Sequence, residues 1–69
     1  MSDLTWDASY AVALALIEAH PDLNVEDIGY EQLFELVIAL PNFVDDPELA
    51  NEGLLDCIIR EWYEEVSNA

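Results

Sequence analysis

Basic residues are almost missing from this chain of 69 residues. Arg60 is its only Lys or Arg, against sixteen Asp and Glu, so the formal net charge is −15 at pH 7. Nucleic acids and anionic lipid surfaces are bound chiefly through Lys and Arg that neutralise phosphate, so this charge argues against both as partners. It favours metal ions or the basic surface of another protein. A soluble domain whose charge has no specific target is the alternative.

Cysteine and long apolar runs are scarce as well. The single cysteine, Cys57, excludes an internal disulfide and a multi-cysteine zinc site. The longest apolar run, residues 10–17, falls short of the roughly 20 residues that span a bilayer. We therefore expect no membrane segment, no secretory signal and a reducing, cytoplasmic location. Because 54% of the residues are hydrophobic, residues 1–69 are expected to fold as one small domain.

Prolines divide the chain into three helical segments, which we place at about residues 8–19, 31–40 and 47–66. Asp46 is the predicted N-cap of the third helix, and Pro47 is its first helical residue. Apolar residues recur at helical spacing in each segment and predict one core face per helix. We predict a mainly α, three-helix domain with little or no sheet. The residues predicted to face its core are Val12, Ala15, Leu16, Ala19, Leu33, Leu36, Val37, Leu40, Leu55, Ile58, Ile59, Trp62 and Val66.

Two helices carry apolar residues outside these core faces. Tyr10, Leu14 and Ile17 lie on the far side of the first helix, and Phe34 and Ile38 lie on the flank of the second. A surface helix normally places polar residues there, and an exposed apolar patch usually marks an interface. We therefore predict an extra apolar interface, and self-association through helix 1 is one form that it would take. The alternative is that the true core face is rotated or that another segment covers these residues.

The most acidic stretch is "DDPELANEGLLD", residues 45–56. Its last three acids are four residues apart, which would align them along one side of a continuous helix. One interpretation is a surface that binds a basic protein partner. The other is a weak metal site, because carboxylate oxygens suit hard cations and take Fe²⁺ loosely. The partner-binding candidates are Asp45, Asp46, Glu48, Glu52 and Asp56, and the metal candidates are Asp45, Glu48, Glu52 and Asp56.

Helix formation by itself explains some of these acids. Asp46 and Glu48 suit the start of a helix, and Asp56 is placed to pair with Arg60 four residues later. Asp45 and Glu52 are left without a structural role, so they are the carboxylates most indicative of function. No Gly-rich phosphate loop and no nucleophile–base motif is present, and we predict no enzymatic activity.

A set of short motifs recurs in order along the chain. Trp6 is followed by "ALIEAHPDL" at 15–23, then Tyr30, "FVDDP" at 43–47, and Asn51-Glu52. The motif residues that complete the pattern are Leu55, Ile58, Trp62 and Glu65. With these motifs, the chain from Leu4 to Glu65 resembles the IscX family, the small acidic proteins of bacterial iron–sulfur cluster assembly.

This resemblance implies a modified winged-helix fold built mainly of three helices. It implies a non-enzymatic adaptor that docks on cysteine desulfurase through an acidic surface, competes there with frataxin and binds iron (Fe²⁺) weakly. A ferrous iron donor is the alternative function. A winged-helix DNA binder is suggested by the fold but opposed by the charge. The apolar residues on the outer side of helix 1 and the single basic residue depart from the family pattern.

Overall fold

A computed structural model of the chain describes residues 3–67. Its three α-helices are α1, Ser9–Ala19, α2, Tyr30–Ile38, and α3, Glu52–Ser67. Two 3-10 turns, Val25–Asp27 and Pro47–Leu49, lie in the connections. The described residues contain no β-sheet, so the predicted mainly α fold is confirmed, while its likeness to a winged helix stays a prediction. None of the described helices has the length and apolar character that crossing a membrane requires.

The core forms where α1 packs against α3 and α2 closes one side. Trp6 and Trp62 are only 2% and 1% exposed and are among its largest members. Burial of a large apolar side chain of this kind contributes about 1.5–3 kcal/mol, so these two residues are major determinants of folding. The buried core residues are Leu4, Trp6, Val12, Ala13, Leu16, Val25, Ile28, Leu33, Val37, Leu40, Leu55, Ile58 and Trp62.

The predicted core faces are correct for the middle of each helix and wrong at two helix ends. Val66 is 46% exposed and Ala19 is also exposed, because both lie in the last turn of their helices, beyond the core. Ala13 is fully buried although it was not predicted to be.

The third helix begins later than predicted. Asp46 caps a separate 3-10 turn, where its Oδ1 accepts the N–H of Glu48 at 3.0 Å. Ala50 is then extended, with φ −62° and ψ 140°, and ends that turn. The Oδ1 of Asn51 accepts the N–H of Leu54 at 2.9 Å and so provides a new helix start. The predicted helix over 47–66 is therefore a short turn followed by α3.

The segment before α1 is held beside the loop that follows α2. Leu4 and Phe43 form an isolated parallel β-bridge. The N–H of Leu4 donates to the Asn42 carbonyl at 2.8 Å, and the N–H of Val44 donates to the Leu4 carbonyl at 3.0 Å. The ring of Phe43 packs edge-on against Trp6, with centroids 4.9 Å apart. This association fixes the position of the acidic stretch that begins at residue 45.

Candidate functional site

Asp45 has a structural role that the sequence did not indicate, while its place in a docking surface stays a prediction. Its Oδ2 accepts the backbone N–H of Trp6 at 3.0 Å, and its Oδ1 accepts that of Asp46 at 2.8 Å. The indole Nε1 of Trp6 donates in turn to the Asp46 carbonyl at 2.8 Å. Both carboxylate oxygens of Asp45 are thus engaged in joining the N-terminal segment to the loop. The sequence could not show this role because the first partner is 39 residues away.

Asp56 also has a partner that differs from the predicted one. Its Oδ1 accepts a hydrogen bond from the hydroxyl of Tyr30, the first residue of α2. Within residues 3–67, Arg60 forms no ion pair, so the predicted pair between Asp56 and Arg60 is wrong. The hydrogen bond to Asp56 is the main cause that raises the pKa of Tyr30, followed by burial and by the charges of Asp56 and Glu52. This contact joins α2 to α3 and orients the Asp56 carboxylate.

Glu48 and Glu52 are the two acids of the stretch that remain exposed without a side-chain partner among the described residues. Glu52 lies in the first turn of α3, where the helix dipole favours a negative charge. It shares one side of that helix with Asp56, four residues later. Glu48 lies in the separate 3-10 turn, so the predicted column of three acids on one helix is wrong. We call Glu48, Glu52 and Asp56 the acidic face.

The predicted iron ligands do not form a ready-made metal site. No group of three or more His, Cys, Asp or Glu side chains between residues 3 and 67 is arranged to hold a metal ion. Each carboxylate oxygen of Asp45 accepts a backbone hydrogen bond, so this side chain already has a structural role, and its use as a metal ligand stays a prediction. Any iron at the acidic face would have to be bound by exposed carboxylates alone. Weak iron binding there stays a prediction.

A groove of about 550 Å³ lies between the turn Val25–Asp27 and α3. Its floor is apolar, since Val25 and Ile28 are buried and Ile59 is half-buried. Its rim is exposed and polar. The residues that line this α3 groove are Val25, Glu26, Ile28, Asp56, Ile59, Arg60 and Tyr63. The groove cannot be read from the sequence because its two walls meet only in the tertiary structure, although the spacing of Asp56, Ile59 and Tyr63 already places them on one side of α3.

The residues predicted to form an extra apolar interface separate into two groups. Tyr10, Leu14 and Ile38 are exposed. Ile17 and Phe34 are half-buried and pack against the core, and the Phe34 ring stacks on Trp6 with centroids 5.9 Å apart. Three of the five predicted residues are therefore exposed, and their use as an interface stays a prediction.

The pKa of Tyr10 is raised by nearby acids on α3. The main cause is the hydrogen bond of its hydroxyl to Glu65, followed by the charge of Glu65, burial and the charge of Glu61.

The fold and surface define a class: a small three-helix protein with exposed carboxylates on its surface. The chain belongs to the IscX family, since a family model described as iron–sulphur cluster assembly matches residues 4–67. It is also similar to an uncharacterized protein of Pseudomonas aeruginosa, with 32% identity over 62 residues that cover 90% of this chain and 94% of that protein. The family resemblance seen in the sequence motifs is thereby confirmed.

Proposed function

We propose that this protein is a non-enzymatic adaptor of iron–sulfur cluster assembly that docks on a basic surface of cysteine desulfurase and adjusts its turnover. The observation that carries the proposal is the exposure of Glu48 and Glu52, whose carboxylates have no partner within residues 3–67. Asp45 and Asp46 also accept backbone hydrogen bonds of the fold, so within residues 45–56 we assign the docking mainly to the acidic face. Membership in a family of iron–sulphur cluster assembly proteins supports a partner from that machinery.

Electrostatic attraction gives such a complex its rate and its salt dependence. A net charge of −15 with a single Lys or Arg steers the chain toward a cationic surface. Exposed carboxylates are largely screened at high ionic strength, so association slows as salt is added. Competition with frataxin for the same surface and a cytoplasmic location are parts of this proposal that rest on the family resemblance.

The alternative, a ferrous iron donor, has less support from the geometry. A donor would need ligands that hold Fe²⁺ until transfer, and none of the described His, Cys, Asp and Glu side chains are grouped in that way. We therefore propose that iron binding is a weak, secondary property of the acidic face.

The test is the affinity for purified cysteine desulfurase, measured by calorimetry. The variant Glu48→Lys/Glu52→Lys reverses two charges on the acidic face. Its matched control, Glu18→Lys/Glu35→Lys, makes the same charge change at exposed positions on α1 and α2. We expect the first variant to bind at least tenfold more weakly, which corresponds to about 1.4 kcal/mol, and the control to bind within about threefold of the wild type. Equal losses would remove the site assignment, and no complex with the wild type would overturn the function.

A further inference from the structure

We propose that the α3 groove is the specificity-determining part of the docking surface. A basic protein partner inserts an apolar side chain into the groove, and a neighbouring carboxylate of the partner pairs with Arg60. The inference deepens the proposed function and rests on it, since the partner is the same basic surface. It assigns a role to residues outside the acidic stretch. The acidic face supplies attraction, whereas the groove selects the partner and its orientation.

The floor of the groove explains why an apolar side chain is the occupant. Ile28 is buried and Ile59 is half-buried, and the exposed ring of Tyr63 forms a wall beside them. A volume of about 550 Å³ accommodates a large aliphatic or aromatic side chain together with its backbone. Desolvated apolar anchors surrounded by polar residues are the usual source of affinity in protein interfaces, and Tyr and Arg are enriched among them.

Arg60 is the reason to expect a carboxylate in the partner. It is the only Lys or Arg of the chain, it is exposed at the rim, and it forms no ion pair within residues 3–67. A guanidinium binds a carboxylate through two parallel hydrogen bonds, which fixes orientation as well as adding energy. Because Arg60 is the only Lys or Arg of the chain, it is the side chain best suited to pair with a partner carboxylate.

The groove is continuous with the acidic face. Asp56 belongs to both, and its carboxylate is held by the Tyr30 hydroxyl. Along the same side of α3, Glu52 lies one turn before Asp56, and Ile59 and Tyr63 lie one and two turns after it. A partner segment along α3 therefore meets negative charge first and the groove next. A second copy of this chain is a poor occupant, since it carries the same charge of −15.

Removal of Arg60 separates this inference from simple electrostatic attraction. The variant Arg60→Ala makes the chain more negative, so attraction alone predicts equal or tighter binding to cysteine desulfurase. The groove predicts at least about tenfold weaker binding, with partial recovery in Arg60→Lys, which keeps the charge but loses the planar fork.

The second variant is Tyr63→Ala, with Tyr10→Ala as its matched control. The two tyrosines are 50% and 51% exposed, but Tyr10 lies on α1, away from the groove. We expect binding to fall about tenfold for Tyr63→Ala and to stay within about twofold for Tyr10→Ala. Thermal unfolding by circular dichroism verifies that all four variants are folded.

Three results would overturn the inference. One is unchanged or tighter binding by Arg60→Ala together with unchanged binding by Tyr63→Ala. If Glu48→Lys/Glu52→Lys still binds more weakly in that case, the proposed function survives and only the role of the groove is wrong. Another is light scattering that shows a dimer dissociated by Tyr63→Ala, which would make a second copy the occupant. The last is the absence of any complex with the wild type, in which case the proposed function fails as well.

Discussion

The carboxylate of Asp45 accepts the backbone N–H of Trp6 at 3.0 Å, and so joins two segments 39 residues apart. Asp45 is half-buried, and it also accepts the N–H of Asp46. Loss of a partly buried hydrogen bond to a charged group costs about 1.5–3 kcal/mol. We expect Asp45→Ala to lower Tm by roughly 10 °C, measured by differential scanning calorimetry.

The control for this prediction is Glu52→Ala, which removes an exposed carboxylate from the same stretch. It should change Tm by no more than a few degrees, because surface substitutions usually stay within about 0.5 kcal/mol. Equal stability of Asp45→Ala and Glu52→Ala would contradict the structural role of Asp45.

The position where α3 begins determines whether Asn51→Ala lowers or raises the free energy of unfolding. The Asn51 side chain caps the Leu54 N–H, so Asn51→Ala should cost about 1 kcal/mol in urea unfolding. If the helix ran through from residue 47, Asn51 would be an interior position, and alanine would stabilise it by about 0.5 kcal/mol. Asn51→Asp keeps the cap and serves as control. An increase in stability for Asn51→Ala would show that the helix starts earlier.

The contact between Tyr30 and Asp56 predicts a titration at alkaline pH. Since the hydrogen bond to Asp56 raises the pKa of Tyr30 above the ordinary 10.0, the folded state keeps this proton when the unfolded state has lost it. The stabilisation is therefore complete below pH 10.0 and is lost as pH rises through the folded-state value. Asp56→Asn should lower the pKa of Tyr30, which is measured from the NMR shifts of its ring as a function of pH. An unchanged midpoint in this variant would exclude Asp56 as the cause.

Added salt should stabilise the folded chain but weaken its binding to cysteine desulfurase. A net charge of −15 destabilises the compact chain by self-repulsion, so raising KCl from 0.05 to 0.5 M should raise Tm, on the order of 5 °C. The same change should weaken binding to cysteine desulfurase, because it screens the attraction between the two proteins. NaCl serves as the control for ion-specific effects. A fall in Tm, or an affinity independent of salt, would contradict the electrostatic account.

Iron should bind weakly at the acidic face. In an anaerobic titration followed by amide NMR, we expect Fe²⁺ to broaden signals around Glu48 and Glu52 with a Kd of about 10⁻⁴ M or weaker, because exposed carboxylates are its only ligands there. The Glu48→Lys/Glu52→Lys variant should lose this response, and Mg²⁺ should compete. Tight, saturable binding of one ion near residues 45–56 would favour the ferrous iron donor instead.

Helix number, helix type and most of the core follow from local pattern. Leu33 and Val37, or Ile58 and Trp62, are four residues apart, so burying one face of a helix buries both members of each pair. Prolines mark the connections because they disfavour helix in the residue before them. The start of α3 was harder to predict, since Asp46 and Asn51 are both good N-caps and only the extended Ala50 between them decides where the helix begins.

The roles of the acidic residues depend on contacts between distant parts of the chain. The family motifs, the three helices and the negative charge can be read from residue types and from spacing within one helix. The folded chain was needed to show that Asp45 bonds to the Trp6 backbone, that Asp56 binds Tyr30 rather than Arg60, and that a groove lies between the turn at 25–27 and α3. Each of these contacts joins residues far apart in the chain, and no local periodicity encodes such a pairing.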